Sequence, residues 1–194
     1  MSKRPQDGFS LIEVLVSIFV LAIGVIGVAG MQLTALRSTQ QSGFQTAAMQ
    51  LASEMADRMR TNYSQTRLDP IENPFLKVDY SSQNGDPKAP DTLCYADANC
   101  NPEALAKFDI YEWEKRIRAA LPGGRAVICR DANPWDNAAG ALTWTCNGGG
   151  GDNASVVIKV GWRAKGKNPD GSSIADESIS FPPSLAITVK PYIQ

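Results

Sequence analysis

Hydrophobic and polar positions follow three regimes along this chain: an unbroken apolar run, a helical stripe, and then alternation. The run is residues 9–31, FSLIEVLVSIFVLAIGVIGVAGM, with Glu13 its single charge. An α-helix rises ~1.5 Å per residue, so this stretch covers about 35 Å, enough for a bilayer core of ~30 Å. Val, Ile and Leu fill it on every side, so its surroundings are lipid or other helices like itself. Only residues 1–8, MSKRPQDG, stand ahead of it, and they carry Lys3 and Arg4. Basic residues stay cytoplasmic, which places the N-terminus inside and everything after Met31 outside.

Beyond the run the helix is expected to continue to about residue 62. The stretch 32–62 has no proline, and Phe44, Ala48, Leu51, Met55 and Met59 recur at spacings of three and four, forming one apolar stripe. Core packing against the chain's own sheet accounts for that stripe. Glu54 and Arg58 form an i, i+4 pair in the favourable order. A helix from residue 9 to 62 would be about 80 Å long, more than a domain of this size can bury. Residues 61–101 read as loop, broken by Pro70, Pro74, Pro87 and Pro90, with a turn at Asn84-Gly85. This loop, pinned by Cys94 and Cys100, is a candidate contact for a neighbouring subunit.

Asn101-Pro102-Glu103 is a helix start, with an N-cap, a proline at the first position and an acid in the first turn. Ala106, Ile110, Trp113, Ile117 and Leu121 form its stripe, and Pro122-Gly123-Gly124 ends it. Period-two alternation then predicts strands at 125–130, 142–146, 154–164, 174–181 and 185–190. The residues Asn147-Gly148-Gly149-Gly150-Gly151-Asp152 and Asn168-Pro169-Asp170-Gly171 supply turns. Val156, Ile158, Val160 and Trp162 fall on one face. Hairpin spacing implies an antiparallel sheet, and the long helix's stripe supplies the cover its apolar face requires. The fold class is therefore α+β: a long N-terminal helix, half of it transmembrane, on an antiparallel sheet of about four to five strands.

Composition narrows the function classes. The net charge is −1; residues 1–8 carry +1, which leaves −2 for the rest. So even a balance argues against a nucleic-acid partner. Histidine is absent, which removes Ser-His and Cys-His nucleophile pairs and the HExxH metal site. The reading is of a structural protein rather than an enzyme, with no cofactor and no metal. Cys94 and Cys100, and Cys129 and Cys146, are spaced wrongly for a four-cysteine zinc site. In an oxidising compartment they read as two disulfides. Three connectivities are possible, and local geometry favours Cys94–Cys100 and Cys129–Cys146. Asp97, Asn99, Asn101 and Glu103 alternate oxygen side chains but lack a calcium loop's central glycine and distal glutamate, so they read as a turn and capping cluster.

Glu13 is the residue with chemistry to explain. A carboxylate within a membrane helix costs ~2.5–3.5 kcal/mol on insertion scales. Near the helix start it could snorkel to the headgroups. Alternatively it awaits a cation: a cut after Gly8 would give Phe9 an α-ammonium one helical turn away, on the same or an adjacent subunit.

Gly8-Phe9-Ser10-Leu11-Ile12-Glu13, behind a short basic leader and ahead of a long apolar run, resembles the class III signal of type IV pilins and pseudopilins. GVAGMQLTALRSTQ and MADRMRTN, further along, resemble the PilV-like minor pilins more closely than a major pilin. The resemblance implies a type IV pilin-like fold, cleavage between Gly8 and Phe9 by a prepilin peptidase, N-methylation of Phe9, and a role for Glu13 in entry into a filament. It divides the chain into a leader at 1–8, a transmembrane and assembly helix at 9–31, and a periplasmic globular domain at 32–194. It further implies an inner-membrane precursor that joins an extracellular pilus. Other minor pilins, the major pilin and a tip adhesin are its implied partners. The chain would sit at or near the tip and prime assembly. A minor pseudopilin of a type II secretion system is the alternative, and a periplasmic binding domain on a plain anchor a third reading. A removable secretory signal ending at Val28-Ala29-Gly30 would need a shorter apolar core without Glu13. Many major pilins carry a helix-kinking proline in the second half of the run; here Gly24, Gly27 and Gly30 stand instead, and either local melting or close helix contact would explain them.

Overall fold

A computed structural model describes residues 10–96, 98–147, 154–163 and 181–189. It divides into two compact units, Met1–Ser42 and Gly43–Gln194.

Helix α1, Leu11–Thr61, runs through Gly24, Gly27 and Gly30 without interruption. Its side chains in the first unit are exposed, from Leu11 to Leu36. One window of it is long and apolar enough to cross a membrane, with a mean hydropathy of 2.8. Thr34 and Thr39 return their hydroxyls to the carbonyls of Gly30 and Ala35, at 3.2 and 3.0 Å. Those polar groups are therefore satisfied within the helix.

In the second unit α1 changes character. Ala48, Leu51, Ala52, Met55, Ala56 and Met59 are buried, and Phe44 packs at the core's edge. After the short helix α2, Tyr63–Thr66, comes α3, Pro102–Ala120. Asn101 caps α3, its Oδ1 accepting from the Ala104 N–H at 2.8 Å, with Pro102 in the first turn. Trp113 of α3 is fully buried and donates its indole N–H to the Leu51 carbonyl at 2.8 Å, which fixes α3 on α1.

These helices cover one face of a four-stranded antiparallel sheet. Its strands are β1 (Asp79–Ser81), β2 (Arg125–Arg130), β5 (Val156–Gly161) and β6 (Leu185–Val189), in the order β1-β2-β5-β6. A separate hairpin pairs β3, Trp135–Asp136, with β4, Ala141–Leu142. Ala126 and Ile128 of β2 lie opposite Val160 and Ile158 of β5. With Val156, Trp162 and Val189 they meet the α1 and α3 stripes in one core. The α+β layout, a long helix on an antiparallel sheet, agrees with the sequence expectation.

Three expectations change. The segment 61–101 is not all loop: it supplies edge strand β1, and Phe75, Val78 and Tyr80 enter the core. Three residues are too few to show an alternation. Of the strand expected at 142–146 only Leu142 is in one, as half of β4, which pairs with β3 rather than with the main sheet. The sheet also does not have a single apolar face. Val157 and Lys159, on the side of β5 away from the helices, are as buried as their neighbours, because residues 131–147 fold back over them. The strand expected at 174–181 lies outside the described residues except Phe181, which is in no strand. The turns at 148–152 and 168–171 and the end of the last strand at Lys190 also fall outside.

Candidate functional site: the helix start and its supports

The N-terminal turn of α1 gathers the chain's unusual polar chemistry. The Ser10 carbonyl accepts from the N–H groups of Glu13 at 3.0 Å and Val14 at 3.3 Å, opening the helix. Glu13 thus sits in the first turn, where a negative charge is favoured by the helix dipole. Ser17 donates its hydroxyl to the Glu13 backbone carbonyl at 2.7 Å. That satisfies the serine and leaves the carboxylate alone: among the described residues no hydrogen bond or ion pair reaches it. Leu11, Ile12, Val14 and Val16 around it are all exposed. An anion on such an apolar surface calls for a cation from elsewhere once the surface is in lipid. Gly8 and Phe9 lie outside the described residues, as does the cleavage site between them.

Among the charged groups of the second unit, two built networks stand out. Arg58 reaches Glu54 at 2.8 Å and pairs with Asp109, while Arg116 reaches the same Glu54 oxygen at 2.5 Å. The pair Glu54–Arg58 was legible in the spacing; its extension to α3 was not. Burial raises the Glu54 pKa, but hydrogen bonds from Arg116 and Arg58 outweigh it and leave the carboxyl below its ordinary value. For Asp109 burial prevails over Arg58, and its pKa is raised.

The second network lies behind the sheet. Lys159 and Asp131 have no exposed side-chain surface, and their charged groups are 2.5 Å apart. The ammonium also donates to the carbonyls of Thr143 at 2.8 Å and Thr145 at 2.7 Å. Asp131 Oδ1 accepts from the Asn133 N–H at 2.9 Å. The buried ammonium is thereby met by one carboxylate and two carbonyls, as a buried charge requires. Sequence reasoning passed over Lys159. The available signal was a lone charge inside VVIKV, where its neighbours on both sides are apolar.

Two disulfides complete the scaffold, Cys94–Cys100 and Cys129–Cys146, with Cα separations of 6.0 and 6.1 Å. The second joins β2 to residue 146, which is in no strand, rather than to a neighbouring strand. Asn99 and Asn101 flank the first, with Asn101 spent on its cap; Asp97 is outside the described residues.

Comparison with known proteins adds two matches. Residues 3–29 match the prokaryotic N-terminal methylation motif. Residues 30–111 match the Tt1218-like family, described as type IV pilin Tt1218. The two abut and together span more than half of the chain. No curated protein and no solved structure matches it.

Proposed function

We propose that this chain, a type IV pilin by its two family matches, serves as a minor pilin, similar to the PilV-like proteins, at or near the tip of a type IV pilus. Pilins are structural proteins, and the chain is read as one rather than as an enzyme. The methylation motif implies a prepilin peptidase and assembly with other pilins. Cleavage between Gly8 and Phe9 would release residues 1–8 and leave a methylated Phe9 ammonium at the new end. The membrane-anchored precursor would hold its N-terminus in the cytoplasm and its globular unit in the periplasm. Other minor pilins and the major pilin are its proposed neighbours, with a tip adhesin where one is displayed.

One observation carries this reading. Glu13 stands on an apolar helix surface, one turn from the position of the new amine, with no partner among the described residues. Mass spectrometry of the chain recovered from sheared surface fibres tests it. The expected mature N-terminus is methyl-Phe9; an intact Met1, or absence of the chain from fibres, refutes the proposal. Loss of protein export with normal pili on deletion would instead identify a pseudopilin.

A further inference from the structure

The hairpin β3–β4 and the strand-free residues after it enclose a groove of about 680 Å³ that the pilus reading does not use. Its described lining mixes polar side chains, Asn133, Asp136, Asn137, Thr143, Thr145 and Asn147, with the apolar surface of Ala138 and the indole of Trp135. Trp135 is 53% exposed. Two other exposed aromatics of this unit have partners. Tyr63 lies under Arg67, and Tyr95 packs edge-on to Phe108 and donates to Glu112. Among the described residues the Trp135 ring meets no cation or second ring and its N–H has no acceptor. The side-chain amides of Asn133, Asn137 and Asn147 and the hydroxyls of Thr143 and Thr145 likewise make no hydrogen bond there.

A large open indole beside uncommitted amides and hydroxyls is the chemistry that recognises a sugar: the ring face meets the C–H face of a pyranose, and the amides pair its hydroxyls in both directions. The volume suits a short oligosaccharide. Among the described residues no lysine or arginine lines the groove and Asp136 contributes a carboxylate, which disfavours sialic and uronic acids, sulfates and phosphates. We propose that this groove binds a neutral or amino saccharide.

The walls are set before any ligand arrives. Lys159 holds the carbonyls of Thr143 and Thr145, Thr143 donates its N–H to Pro134 at 3.0 Å, and Ala132 donates to Asn147 at 3.1 Å. Asp136 Oδ1 accepts from the turn N–H groups of Ala138 and Ala139. Cys129–Cys146 ties the far wall to β2. Such pre-organisation reduces the ordering cost of binding. Every residue named belongs to the unit Gly43–Gln194, so the site does not depend on how the helix is used.

The test uses the full chain in phosphocholine micelles, which carry no sugar headgroup, on an array of neutral, amino and sialylated glycans. Affinity for the best-retained glycan is then measured by isothermal titration calorimetry, which does not depend on Trp135 as a reporter. Neutral or amino glycans are expected to be retained and sialylated ones not. Trp135→Ala is expected to weaken binding at least tenfold, with Trp135→Phe retaining most of it through its ring face. Asn137→Ala, in an exposed turn, is expected to weaken binding severalfold, and decides the matter should Trp135→Ala not fold. Retention of no neutral or amino glycan, preference for sialylated glycans, or unchanged affinity in Asn137→Ala or in folded Trp135→Ala overturns the proposal.

Discussion

Single residues differ here in whether their environment supplies what their chemistry needs. Asn101 and Lys159 are fully matched, one by a helix N–H and the other by a carboxylate and two carbonyls. Glu114 is not. It lies on α3 between the buried Trp113 and the half-buried side of the helix, and burial alone pushes its pKa up to about 7 from 4.5. The folded chain therefore holds this proton more tightly than the unfolded chain. Below pH ~4.5 both states are protonated and there is no penalty. From there to about pH 7 stability falls, and above pH 7 the full cost remains. A shift of this size corresponds to at most ~3 kcal/mol, and solvent screening of a partly exposed side chain reduces it to about 1–2 kcal/mol. Glu114→Gln is expected to raise the melting temperature at pH 8 by roughly 3–6 °C and to leave it unchanged at pH 4.5. Thermal unfolding monitored by circular dichroism at the two pH values checks this; equal shifts at both would mean that the carboxyl's ionisation is not the cause.

Elements were legible where local signals sufficed. The long helix shows itself by an apolar run followed by a stripe, α3 by its cap and proline, and β2 and β5 by alternation. What failed depends on distant partners. Leu142, Trp144 and Cys146 alternate like a strand, yet the carbonyls of Thr143 and Thr145 are taken by a lysine on β5 instead of a neighbouring strand. Trp144 donates to the Phe181 carbonyl, and its ring, beneath Arg125, stands over Gly161. Here a side chain at Gly161 would meet Trp144 at 2.9 Å, so the close approach needs glycine. The covering segment is thus held in part by a buried charge whose partners no local pattern reveals, and Trp135 and its groove follow from that segment. Lys159→Met should strand the Asp131 carboxylate and two carbonyls in a dry site, costing about 3–5 kcal/mol. Hydrogen exchange should show faster exchange over residues 131–147 than over β2. A loss under 1 kcal/mol in chemical denaturation, with protection intact, would show that packing and the disulfide hold the segment without the ion pair.

At the scale of the whole molecule, one helix has two burial regimes, and the change falls between the two units. Up to residue 42 its side chains are exposed, largely apolar as far as Met31 and mostly polar from Gln32; from Ala48 they enter a core of the chain's own making. The apolar run from Leu11 to Met31 suits a membrane, since its helical backbone bonds within itself and the hydroxyls of Ser17, Thr34 and Thr39 fold back on the helix. Glu13 is the one carboxylate of the span, and no partner for it is found among the described residues. Its position near the helix start was readable from sequence, because a lone charge in an apolar run needs no tertiary information to be seen. If its purpose is to meet a methylated Phe9 ammonium, on its own or an adjacent subunit, then removing the charge separates two steps. Glu13→Val deletes an insertion cost of ~2.5–3.5 kcal/mol, so anchoring in the membrane should be unimpaired and the globular unit unaffected. Recovery in sheared fibres should fall at least tenfold, because the subunit loses the ion pair that registers it against its neighbour. Glu13→Gln, which keeps the shape without the charge, should behave like Glu13→Val. Quantifying membrane-bound and fibre-bound chain by immunoblot distinguishes the outcomes. Wild-type recovery of both variants in fibres would mean that apolar helix packing alone drives incorporation and that the carboxylate merely reaches the headgroups.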